Sequence, residues 1–144
     1  MTSGFDARSS LGYALKQAQQ AMRNHMDRGL SELGLTAPQY AVLAALEAEP
    51  GASNAALARQ AFVTPQTMQG MLAGLERARL VERTPDPDHG RVRRAALTEA
   101  GRDALAHAHR IAAASEGTAR AATGPDGADA LAQTLRRVAD ALRP

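Results

Sequence analysis

The chain has 144 residues, a formal net charge of +2 and a sequence pI of about 9.7, with 44% hydrophobic but only 3% aromatic residues. That length suits one domain, whose core has to come from Leu, Ala, Val and Met, so a second copy of the chain would supply burial that one copy lacks. The lack of cysteine excludes a disulfide scaffold, a zinc-thiolate site and a thiol redox switch, and no apolar run approaches the ~20 residues a membrane span needs.

Met1 to Ser9 is small and polar and reads as a loose arm; its first residues carry no signal-peptide pattern, so the chain is expected to be cytoplasmic. Ser10 caps a first helix in which Leu11, Leu15, Ala18, Met22, Met26, Leu30 and Leu33 keep one face, and Gly34 stops it. Thr36 caps a second helix, with Gln39 three residues on completing a capping box; Tyr40, Leu43 and Leu46 form its apolar stripe, and Glu49-Pro50-Gly51 ends it. Ser53 to Gln60 reads as a short third helix around Leu57 and Ala58, followed by the turn Ala61-Phe62-Val63-Thr64.

Thr64-Pro65 opens the fourth helix: Thr is a favoured N-cap, and Pro suits a first position whose N–H has no helical acceptor. Met68, Met71, Leu72 and Leu75 make one apolar stripe, while the opposite face carries Gln66, Thr67, Gln69, Gly70, Ala73 and Arg77. Leu80 to Thr84 is predicted as a strand, Pro85 to Gly90 as a turn and Arg91 to Leu97 as a returning strand with three arginines. Thr98 caps a fifth helix with Leu105, Ala108, Ile111 and Ala112 inward, running to about Ala122 with Gly117 as a possible kink. Thr123 to Gly127 breaks the chain, and a last helix from Ala128 carries the seam Leu131, Leu135, Val138 and Leu142. The expected fold is mainly α (α+β), a single domain over 1–144. A winged helix-turn-helix lobe occupies 36–98, and the helices of 11–33 and 99–143 serve dimerisation.

Three runs resemble the MarR family of transcription regulators. Leu35 to Leu43 is similar to the start of that family's second helix, and Leu75 to Arg83 to the end of its recognition helix and first wing strand. Asp86-Pro87, Arg91 and Leu97-Thr98-Glu99-Ala100-Gly101 resemble its wing and the start of its fifth helix. The spacing fits over the whole chain. Two positions depart: His89 stands where the family usually has the wing's second Asp, and Gly70 where its recognition helix often has Arg or a small polar residue.

The resemblance implies a homodimer that binds palindromic double-stranded operator DNA, most simply as a repressor, and answers to a small aromatic or phenolic effector. The expected DNA contacts are Thr64, Gln66, Thr67, Gln69 and Gly70 of the recognition helix, Arg77 and Arg83 on phosphate, and Arg91 and Arg93 on the wing. Arg91 is expected to enter the minor groove; the plain alternative is a pair with Asp86 or Asp88, and the two are compatible, with the pair aiming the side chain. By strand alternation Arg93 shares the face of Arg91 and Arg94 takes the other. The six arginines between Arg77 and Arg94, against Glu82, Asp86 and Asp88, make a local basic patch.

Met22, His25, Met26, Tyr40 and His107 are candidates to line an effector crevice; the plain alternative is that Met22, Met26 and Tyr40 are core. The sequence calls for no cofactor. His107 and His109 lie about 200° apart around a helix, too far to hold one metal ion together, and no Gly-x-Ser-x-Gly turn points to an enzyme. A competing reading is a helical interaction or ligand-sequestering module that no longer reads DNA, suggested by Gly70, Gly74 and the single cation on the recognition helix.

Overall fold

A computed structural model describes residues 4–144; Met1, Thr2 and Ser3 of the expected arm lie outside them. Six helices and one two-stranded antiparallel sheet follow in the order α1 (Leu11–Leu30), α2 (Ala37–Ala48), α3 (Asn54–Ala61), α4 (Pro65–Arg77), β1 (Val81–Pro85), β2 (Arg93–Leu97), α5 (Glu99–Thr123) and α6 (Gly127–Leu142). The expected mainly helical fold with a winged helix-turn-helix is what the chain forms. The arm is more ordered than expected: residues 7–9 make a 3-10 turn, because the Asp6 carboxylate accepts the Arg8 N–H. No helix among the described residues is long and apolar enough to cross a membrane.

The chain divides into two compact units, residues 26–111 and the two ends together, through His25 and from Ala112 onward. The divisions fall inside α1 and α5 rather than at their ends. The central unit holds the buried core: Leu30, Leu35, Val42, Leu43, Leu46, Leu57, Met68, Leu72, Leu75, Val81 and Leu105, with Ala52, Ala58, Ala95 and Ala108 between them. Small alanines between leucines let α2, α3 and α4 approach closely. That is how a chain so poor in aromatics fills its interior.

Local chemistry sets the boundaries. After α1 a 3-10 turn, Ser31–Leu33, ends at Gly34 in the left-handed conformation. The capping box at α2 is complete: Thr36 Oγ1 accepts the Gln39 N–H, and the Gln39 side chain accepts the Thr36 N–H. Ser53 and Thr64 cap α3 and α4 with their hydroxyls. Arg79, at φ 61°, turns the chain out of α4 into β1. Val81 pairs with Leu97 and Pro85 with Arg93. The return strand is therefore shorter than predicted and starts at Arg93. The Val92 N–H is taken by the His89 carbonyl at 2.9 Å inside the turn, and Arg91 lies in that turn.

In the terminal unit, Ser115 is buried and its hydroxyl lies 2.7 Å from His25 Nδ1. Arg120 ties α5 to α6 through Asp129 at 3.0 Å and pairs within α5 with Glu116, also at 3.0 Å. α5 runs unbroken through Gly117, and α6 has no buried residue. Phe5, Leu11, Tyr13, Leu131 and Leu142 are exposed here. Among the described residues, Phe62 is the one large exposed apolar side chain outside this unit.

Candidate nucleic-acid interface

The α4 stripe turns Met68, Leu72 and Leu75 into the core, with Met71 half-buried, which leaves Gln66, Thr67, Gln69, Gly70 and Arg77 on an outer face. Thr64 is engaged by the helix: its Oγ1 accepts the Thr67 N–H at 3.1 Å and donates to Thr67 Oγ1 at 3.0 Å. The two helices of the reading unit are tied at their starts, where Asn54 Nδ2 donates to the Pro65 carbonyl at 3.1 Å. Gly70 is open, with nothing within 4 Å of a Cβ placed there.

The wing sorts its arginines into two classes. Arg83, only 11% exposed, donates from Nε to Glu76 at 2.9 Å and from Nη1 to Gln69 at 2.8 Å. Arg93 donates to the Arg83 carbonyl at 3.0 Å and lies 3.7 Å from Glu76. Arg94 donates to Asp86 at 2.8 Å. These three form the wing's frame. Arg77 and Arg91 are exposed and make no ion pair among the described residues.

Two expectations change accordingly. The Asp86 brace holds Arg94 and not Arg91, because Arg91 sits in the turn and Arg94 faces Asp86 across the base of the wing. The alternation that grouped Arg91 with Arg93 does not apply, since Arg91 precedes the strand. The patch is also less positive than the count of arginines from Arg77 onward implies, because Glu76 neutralises part of Arg83 and Arg93.

Asp86 is buried, and its carboxyl is held below its ordinary value of 3.8, first by the backbone N–H of Asp88 and then by Arg94. A depressed carboxylate stabilises the fold above its unfolded value, and that contribution is lost as pH falls through the lower folded value. The wing tip should therefore loosen on acidification below about pH 3.8. Protection of the Asp88 amide from hydrogen exchange, normalised to Leu72 in α4, should fall between about pH 6 and about pH 2. Equal normalised protection at both would refute the brace.

A cavity of about 480 Å³ opens between the start of α3, α4 and the wing, lined by Ser53, Asn54, Gln69, Arg83, His89, Arg91, Arg93 and Arg94 among others. Ser53, Asn54, His89 and Arg94 were not among the expected contacts. The signal for Arg94 lay in its spacing from Asp86, an acid and a base flanking one turn. The effector candidates fall in different units. His25 meets Ser115 in the terminal unit, where Met22 is half-buried, while Met26 and Tyr40 pack against the central core. His107 is exposed and lies 2.6 Å from Arg110. The ring beside Tyr40 is instead His109, whose Nδ1 is 2.7 Å from the Tyr40 hydroxyl and whose Nε2 is 2.9 Å from Glu47. Burial first, and the Glu47 charge second, raise the Tyr40 hydroxyl above its ordinary pKa.

Residues 33–92 match the sequence profile of the MarR family. The HTH-type transcriptional repressor Rv2887 of Mycobacterium tuberculosis (strain H37Rv) is 40% identical over 106 residues, covering 74% of this chain and 76% of that protein. Its structure in complex with p-aminosalicylic acid superposes with a TM-score of 0.74 at 32% identity, over 91% of this chain and 99% of that one. The transcriptional repressor CouR bound to a 23-mer DNA duplex gives a TM-score of 0.86 at 31% identity, over 95% and 99% of the two chains. The PcaV regulator of Streptomyces coelicolor with its natural ligand gives 0.85 at 28% identity, over 99% and 100%. With these likenesses spanning the reading helix and the wing alike, the chain belongs to the MarR family, and it is a winged helix-turn-helix transcription regulator.

Proposed function

We propose that the protein is a repressor that grips a palindromic operator as a homodimer and lets go when a small aromatic acid binds. The observation that carries the DNA reading is the pairing of two surfaces in one unit. The outer face of α4 presents Gln66, Thr67 and Gln69, and Arg91, which lines one cavity with Gln69, makes no ion pair among the described residues. Gln side chains suit base edges in a major groove, and an unpaired arginine on a turn suits a narrow minor groove. Arg77 and the start of α4 suit phosphate. Dimerisation is supported by the exposed apolar side chains of α1 and α6, and by the gain from making the second half-site contact intramolecular. Reading heads roughly 34–36 Å apart would meet successive major grooves.

The effector proposal draws on the ligands bound by Rv2887 and PcaV. In the central unit, the group suited to a phenolic acid is the Tyr40 hydroxyl, which meets His109 Nδ1, while Glu47 meets the other nitrogen of that ring.

A gel shift on the DNA upstream of the protein's own gene tests this. Arg77 and Arg91 of each chain make at least four cationic contacts per dimer, so log K should fall against log salt with a slope of about −4. Salicylate should release the complex at fixed salt. Absence of any shift at low salt would favour the module that no longer reads DNA.

A further inference from the structure

We infer that Phe62 is a specificity-determining residue that packs on the C5-methyl of a thymine beside the reading helix. Phe62 is the turn of the helix-turn-helix. It is 93% exposed and adopts φ 58°, ψ 38°, the left-handed conformation. Both facts count against a purely structural role. A side chain at that backbone angle is strained, and the position after a helix end is one where glycine is the usual solution. Nor does the ring recover the strain by burial. The half-buried Val63 makes the apolar contact at this helix end, and it packs against the core.

The backbone under the ring is rigid. The Phe62 N–H bonds the carbonyls of Ala58 and Arg59, and the Val63 N–H bonds Ala58 at 3.1 Å. An aromatic ring is thus held on a fixed stalk two residues before the Thr64 cap of α4, at the same end of that helix as Gln66.

Its surroundings choose the target. Arg59, Gln60, Thr64, Pro65 and Gln66 around it are exposed and mostly polar. One ring in a polar field is far short of the roughly 800 Å² per side that a stable protein interface buries. It does match the one apolar feature of a major groove, the thymine methyl, which phenylalanine is suited to contact.

This inference rests on the proposal that α4 reads DNA, and the test separates the two. The operator is first located by footprinting on the upstream fragment. Each thymine in it is then replaced by deoxyuridine, which removes only the C5-methyl, and affinity is measured for the parent and for Phe62→Gly. Glycine accepts the left-handed angle without strain, so the variant should fold with stability close to the parent.

One thymine per half-site should show a loss of about fourfold with the parent, the worth of one buried methyl. Phe62→Gly should bind the unmodified operator correspondingly more weakly and lose nothing further at that thymine. The inference is overturned if Phe62→Gly binds the unmodified operator as the parent does, or still loses affinity at the same thymine. A parent that leaves no footprint overturns the DNA reading itself.

Discussion

Replacing Gly101 by alanine is expected to destabilise the protein by about 2–4 kcal/mol, against the usual sign of that change in a helix. Gly101 is in the first turn of α5, and in an open helix alanine is better than glycine by roughly 0.5–1 kcal/mol. Here an added Cβ would run into the carbonyl oxygen of Leu80. The obstacle is backbone, so it has no rotamer to swing away. It is also fixed in place: the Leu80 carbonyl accepts the Thr98 N–H at 3.1 Å. Thr98 Oγ1 in turn accepts the Gly101 N–H at 3.0 Å and donates to the Arg79 carbonyl at 2.7 Å.

Making room means overpacking a rigid joint, at about 1–3 kcal/mol, and losing at least one of these hydrogen bonds, at about 1 kcal/mol. Urea unfolding of Gly101→Ala beside Gly117→Ala checks this. The second site is on the same helix with nothing within 4 Å of the new methyl, and should gain stability. Were Gly101→Ala to prove as stable as the parent, the joint between the reading helix's exit and α5 would not be rigid.

Arg91→Ala should weaken specific DNA binding by about 1–3 kcal/mol, the range for a good polar contact to a base, and leave folding stability within about 0.5 kcal/mol, as for a surface site. The separation follows from the sorting of the wing arginines. Arg91 takes no part in the frame, whereas Arg83, Arg93 and Arg94 hold Glu76, a carbonyl and Asp86. Substituting any of those three would confound DNA affinity with a loosened wing. Fluorescence titration at matched salt is the measurement, and an unchanged affinity would strike Arg91 from the interface.

Much of this was readable along the chain, wherever the cause is local. Thr36 with Gln39, Thr64 with Pro65, and Gly34 announce helix ends because caps are satisfied within three or four residues. The apolar stripe of α4 announces which face is buried, and so which face is left outward. What was misplaced depended on partners that sequence distance hides. His107 and His109 are equivalent as residues of one helix. The choice of His109 was made by Tyr40 and Glu47, 69 and 62 positions away.

The wing followed the same rule. Counting arginines overstated its charge because Glu76, on the preceding helix, folds back against Arg83 and Arg93. Strand alternation misassigned Arg91 because the turn claimed the Val92 N–H.

Sequence alone therefore determined the element order, the caps and the division of α4 into a core face and an outer face, since each depends on periodicity and near-neighbour hydrogen bonds. Tertiary structure alone decided which arginines are spent on the frame and which stand free, that Phe62 is left exposed, and why Gly101 has no room for a methyl. Those outcomes depend on groups brought together only when the core closes, and no spacing in the chain encodes the distance between them.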